Sequence, residues 1–298
     1  MQPGVHAAGA AVRIPASIEI TPKQAVSLPE LPGLFPPGVR VYIADIGIDG
    51  DDMLVQAARR VTELGYVAVP HLPARRLGTK AALEARIKAS AQEAGVRDML
   101  IVGGGLARPA GEFGSTMDVL ETGFMDRYGI TDIAVAGHPE GSPDFGEREA
   151  IEALKLKQAF GERTGASMRI VTQFGFDGAA FVRWAEGLRA VGVDLPVHLG
   201  VAGPAKVTTL LKYAAACGVG NSLDFFRKRF GSIAMLATSY SPEEVVGPIE
   251  QHALRTADSA IRQIHVFPFG GPKKAADWLF GRGSWGVQMQ DGTARRFG

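Results

Sequence analysis

Residues 132–174 read DIAVAGHPEGSPDFGEREAIEALKLKQAFGERTGASMRIVTQF, and they contain the unit from which the fold is built. The runs DIAVAGH from Asp132 and MRIVTQF from Met168 are short and rich in β-branched residues, which predicts strands. Between them, Gly146 to Thr164 carries apolar residues at helical spacing. A helix between two strands returns the second strand parallel to the first, because parallel strands need a crossover connection.

The same alternation extends in both directions. Upstream lie RIPASIEI from Arg13, VRVYIAD from Val39, YVAVPHL from Tyr66 and DMLIVGG from Asp98, and downstream PVHLGVA from Pro196 and QIHVFPF from Gln263. With the first two, that makes eight strands, the number that closes a barrel. Amphipathic helices are expected over Asp51–Leu64, Thr79–Ala94, Ser115–Tyr128, Gly178–Val191 and Ala205–Ala216, with Asp51, Thr79 and Ser115 as N-caps. The fold class that follows is α/β, a (β/α)8 TIM barrel forming a single domain over residues 1–298. Residues 218–242 read as an insertion with an extra helix, NSLDFFRKRF, before a long helix from Pro242 to Arg262. Residues 282–298, rich in Gly and charge and without a period, read as a loosely docked tail.

Composition narrows the function. The 32 basic and 31 acidic residues nearly cancel, which argues against nucleic acid or an anionic membrane surface and for a small-molecule partner. The single cysteine, Cys217, has no second thiol for a disulfide or a zinc site and reads as a buried helix residue, so no metal is expected. The first residues lack the pattern of a secretory signal, and no apolar stretch approaches the roughly 20 residues of a membrane span, so a cytoplasmic location is expected. Assembly into a homo-oligomer is left open.

Active sites of such barrels lie at the carboxyl ends of the strands. Here those ends carry Glu19, Asp45, His71, Gly103 to Gly105, His138 to Glu140, Gln173, Gly200 to Gly203 and Gly270–Gly271. Glu19 ends an apolar strand directly before Thr21–Pro22. A carboxyl group half-withdrawn from water favours its neutral form, so Glu19 is expected to donate a proton near neutral pH.

These strand ends resemble, in order, those of the methylenetetrahydrofolate reductase family. Ser17-Ile18-Glu19-Ile20-Thr21-Pro22 resembles the segment that opens the family, and Pro70-His71-Leu72 its third strand. Ala136-Gly137-His138-Pro139-Glu140 resembles the fifth. Leu154-Lys155-Leu156-Lys157 followed by Thr172-Gln173-Phe174-Gly175-Phe176-Asp177 resembles its Leu-Lys-x-Lys helix and Thr-Gln-Phe-Phe-Phe-Asp strand. Weaker echoes are Gly200 to Pro204 and His265 to Phe269.

The resemblance implies that Glu19 is the general acid and that Gln173 and Phe176 bind the substrate. It further implies that His71, Gly104, Gly105, His138 and Lys157 face the cofactor. The implied reaction protonates a folate amine, opens 5,10-methylenetetrahydrofolate to an iminium and reduces it with hydride from NADH or NADPH to 5-methyltetrahydrofolate. Either direction of this one-carbon step is compatible. One departure bears on the FAD that the family implies: its Leu-Arg-Gly-Asp after the fourth strand is replaced by Val102-Gly103-Gly104-Gly105, without an acid. Hydride therefore passes either through FAD or directly from the nicotinamide. Other readings of the same residues are a folate-linked methyltransferase barrel, or a folate-binding protein that has lost its chemistry.

Overall fold

The computed structural model describes residues 13–142, 145–217 and 239–285. The barrel strands are β1 (Ala16–Ile20), β2 (Arg40–Ile43), β3 (Val67–Pro73), β4 (Asp98–Val102), β5 (Asp132–Gly137), β6 (Ser167–Gly175), β7 (Val197–Ala202) and β10 (Ile261–Phe267). They close in the order β1-β10-β7-β6-β5-β4-β3-β2, and every pair in this ring is parallel. All eight expected strands are present. Two further short strands, β8 (Ala205–Lys206) and β9 (Ser239–Tyr240), pair antiparallel outside the barrel.

The helices are α1 (Pro22–Ser27), α2 (Asp51–Glu63), α3 (Lys80–Glu93), α4 (Thr116–Leu120), α5 (Phe124–Arg127), α6 (Glu147–Thr164), α7 (Gly178–Ala190), α8 (Val207–Cys217), α9 (Glu243–Arg255) and α10 (Pro272–Gly281). Thr79 and Ser115 cap their helices as expected. Asp51 does not: the N-cap is Gly50, and Asp51 instead places its charge in the first turn, 3.4 Å from Arg86.

The expected helix Ser115–Tyr128 is broken, because Gly123 takes a left-handed φ of 73° between α4 and α5. The long helix expected over 242–262 ends at Arg255, and Ile261 and Arg262 already belong to β10. Helix α1 was not expected. A capping box, with Thr21 accepting from Gln24 N and Gln24 Oε1 accepting from Thr21 N, compensates for its shortness. The segment NSLDFFRKRF, the side chain of Cys217 and residues 286–298 lie outside the described residues.

The start of the expected tail is packed. Trp285 is 1% exposed, and its indole N–H donates to Ala16 O at 2.9 Å. Arg282 reaches Glu250, which also accepts from Arg13 and from the backbone of Ile14. This ties the chain beyond α10 to the amino end of β1.

Alternation along each strand sorts the side chains into two layers. Ile18, Val41, Ile101, Ile133, Ile170, Leu199 and Ile264 face the helices and form the main core. Tyr42, Val69, Leu100, Ala134 and Val171 form a separate apolar layer inside the barrel. Toward the amino ends of the strands the lumen turns ionic. Arg169 of β6 donates to Asp98 at 2.7 Å and, across the barrel, to the hydroxyl of Tyr42 at 2.8 Å, while Arg40 holds the other Asp98 oxygen at 2.9 Å. Burial, then the cations of Arg169 and Arg40, push the neighbouring His198 well below its ordinary value and keep it neutral.

Candidate active site

Above the apolar layer, at the carboxyl ends of the strands, Glu19 and His71 project inward from β1 and β3. His71 Nε2 lies 3.4 Å from Glu19 Oε2, and His265 Nε2, from β10, lies 3.6 Å from the same oxygen. The side chains of Glu19, His71 and His265 are 18%, 12% and 0% exposed. His265 is held by Ser17, whose hydroxyl lies 3.0 Å from Nδ1, and by Tyr42, whose ring centroid is 4.4 Å away edge to face. The parallel register of β1 on β10 sets Ser17 opposite His265.

This environment reverses the expected protonation of Glu19. Burial raises its carboxyl, but the two imidazoles that face it, His265 and then His71, outweigh burial and hold it below the ordinary carboxylate value. Burial pushes His71 down, against the pull of Glu19. Sequence reading missed His265 as a partner. Its signals were a histidine between Ile264 and Val266 and its place in the weak His265 to Phe269 echo, which gave it no role.

Gln173 stands at the mouth on a β-bulge. The register of β6 against β7 slips between Val171 and Phe174, and Gly200 N donates to Thr172 Oγ1 at 2.8 Å. A Cβ at Gly200 would lie 2.5 Å from Thr172 O, so only glycine allows this approach. The side-chain amide oxygen of Gln173 accepts from Phe174 N at 3.1 Å, and its NH2 has no hydrogen-bond partner among the described residues.

Phe176, expected to stack on substrate, is instead a core residue, 4% exposed and edge-on to Phe174 and Tyr240. The aromatic surface at the mouth is built by other residues. Phe267 packs on His265 at 4.8 Å, Phe269 stacks on Phe267 at 5.9 Å, and Tyr213 of α8 stacks on Phe269 at 4.3 Å. This wall rises from beside the carboxylate to the rim, where Tyr213 is 44% exposed.

The expected cofactor residues divide. His138 lies at the end of β5, with Phe145 edge-on at 5.0 Å. Gly104 and Gly105 take left-handed φ values of 100° and 67°. Their loop is stapled by arginines that follow β3: Gly103 O accepts from Arg75 N, and Gly104 O from Arg76 Nε at 3.0 Å. Lys157 points inward from α6 on the stripe that also carries Leu154, and it has no hydrogen bond or ion pair among the described residues.

Burial alone lowers the Lys157 amine to about 8. A depressed lysine binds its proton more tightly in the unfolded chain, so wild-type stability is expected to rise between about pH 8 and pH 10.5. The gain over Lys157→Met in that window is on the order of 3 kcal/mol. Urea unfolding of both proteins across it checks this, and parallel curves would mean a solvated amine.

A closed parallel barrel with a carboxylate and two imidazoles at its carboxyl-terminal mouth defines a (β/α)8 protein equipped for proton transfer beside an aromatic surface. The model of the methylenetetrahydrofolate reductase family matches residues 46–221, and the chain belongs to that family. It is similar to methylenetetrahydrofolate reductase 1 of Schizosaccharomyces pombe, 43% identical over 70 residues, which is 23% of this chain. That stretch spans only 11% of the length of the yeast protein. In fold it is similar to an uncharacterized protein from Clostridium thermocellum that binds two copies of 5-methyl-5,6,7,8-tetrahydrofolic acid, with a TM-score of 0.57 and 11% identity over 92% of this chain and 94% of that one. Among the described residues no helix is long and apolar enough to cross a membrane.

Proposed function

We propose that this chain is a reductase barrel that converts 5,10-methylenetetrahydrofolate to 5-methyltetrahydrofolate with hydride taken directly from NADH or NADPH. The observation that carries the reading is the titratable cluster at the mouth, Glu19 between His71 and His265, at the foot of an aromatic wall. Family membership and the folate bound by the Clostridium thermocellum protein support the substrate class.

The wall of Phe267, Phe269 and Tyr213 suits the flat pterin or p-aminobenzoate rings, which stack well on aromatic faces. The NH2 of Gln173 serves a carbonyl or ring nitrogen at the pterin edge. Protonation of the folate amine from the Glu19 site breaks one C–N bond of the bridging methylene and leaves an iminium. A bound nicotinamide supplies the hydride that reduces it. The β4 end does not fit a flavin clasp: the carbonyls of Gly103 and Gly104 are taken by Arg75 and Arg76, and no acid stands between Val102 and Pro109. No step is therefore assigned to FAD.

The test is a visible spectrum of the purified protein, then NAD(P)H oxidation with methylenetetrahydrofolate, with and without added FAD. Expected are no flavin bands and turnover that is independent of FAD. Strict dependence on FAD would overturn direct transfer. No NAD(P)H oxidation under either condition would overturn the reductase reading, and methyl transfer without a hydride donor would replace it with a methyltransferase.

A further inference from the structure

Two imidazole nitrogens converge on one carboxylate oxygen at the mouth, yet neither His71 Nε2 nor His265 Nε2 has a hydrogen-bond partner, and both are buried. An imidazole lone pair and a carboxylate oxygen repel at such separations unless a proton lies between them. Among the described residues no three His, Cys, Asp or Glu side chains are arranged to hold a metal ion. The two histidines also differ. His265 is fully enclosed and pinned through Nδ1 by Ser17, whereas His71 opens to the mouth and its backbone carbonyl is fixed by Arg86 at 2.8 Å.

From this geometry we infer that Glu19 and His71 share a single proton and act as one acid, so that His71 is a catalytic residue of the reductase proposed above and not a cofactor contact. Its use in catalysis rests on that reading, but the shared proton does not. When the shared proton passes to the folate nitrogen, the pair is left one unit more negative, and water at the mouth restores the proton through His71. The charged and titratable groups facing His71 are Glu19 from β1, His265 from β10, and Asp45 and Arg86, which pair with each other at 2.7 Å. Tyr42 of β2 lies edge-on to its ring at 6.3 Å. With Asp45 and Arg86 offsetting each other, the carboxylate of Glu19 is the group that keeps a proton near His71.

The test follows the imidazole 15N signals of labelled protein against pH in the wild type and in Glu19→Gln, with His71→Gln identifying the resonance. The His71 midpoint is expected to fall by at least about one pH unit in Glu19→Gln, a tenfold loss of proton affinity. By reciprocity, the Glu19 carboxyl 13C midpoint should rise in His71→Gln, and this second measurement decides the matter if Glu19→Gln does not fold. Unchanged midpoints would overturn the shared proton, as would a titration abolished by a chelator. These readouts need no turnover, so they stand apart from any failure of the reductase reading. In the active enzyme, His71→Gln should lower kcat about 100-fold and shift the pH profile with little change in KM for NAD(P)H. A raised nucleotide KM with kcat preserved would make His71 a cofactor contact instead.

Discussion

Glu19→Gln is expected to lower turnover of methylenetetrahydrofolate by about 100- to 10,000-fold, the range that a positioned general acid contributes. The amide keeps the size of the carboxyl and can still hydrogen-bond to either imidazole, so the barrel mouth stays assembled. What it lacks is a proton to give. Binding of NAD(P)H should therefore be unchanged, and the loss should fall on kcat, because protonation matters in the transition state and little in the bound ground state. Steady-state kinetics together with nucleotide binding separates the cases. Full activity in the variant would remove Glu19 from the chemistry, and weakened nucleotide binding with normal kcat would make it a binding residue.

The largest stability effect is expected at the opposite end of the lumen. Asp98 is 3% exposed at its side chain and neutralises both Arg169, itself 6% exposed, and Arg40. Asp98→Ala leaves two guanidinium groups in the barrel interior with too few partners. Removing one member of a buried ion pair costs about 3–5 kcal/mol, mostly because the surviving charge is stranded away from water. Equilibrium unfolding in urea should show a loss of that size, with Asp98→Asn intermediate because the amide still accepts a hydrogen bond. A loss below about 1 kcal/mol, typical of an exposed pair, would mean that water reaches the network. The network also bears on the site. The Tyr42 hydroxyl accepts from Arg169 and its ring packs edge to face with His265, so loosening Arg169 should release the imidazole that Ser17 orients.

Several features were legible in the chain because their signals are local. Each strand is a short β-branched run bounded by Gly, Pro or polar residues, and the caps at Thr79 and Ser115 are set by residues within one turn. The place of Glu19 at the mouth was legible because a lone carboxylate ends an otherwise apolar strand. Features that depend on competition between neighbours were misread. Gly123 divides a helical pattern because its left-handed backbone ends one turn and starts another. The last long helix stops early because Ile261 and Gln263 pair with β7, and strand pairing outweighs local helix propensity. Phe176 lies inside a motif that suggests a ligand contact, but the turn after the β6 bulge directs it into the core beside Tyr240.

The sequence by itself determined the barrel, since eight strand and helix units carry their own periodicity and eight parallel strands have one closed arrangement. It also determined the strand ends at which chemistry is possible, because side chains near the end of each strand face the mouth. Tertiary structure alone decided what those residues meet. Closure sets β1 between β2 and β10, which brings His265 Nε2 within 3.6 Å of a carboxylate 246 positions earlier in the chain. The protonation of Glu19 follows from that meeting: burial alone would have raised its carboxyl, and two imidazoles supplied from distant strands hold it down. Interactions of this kind depend on distance in space and on local dielectric, and neither is written in the order of residues along a chain.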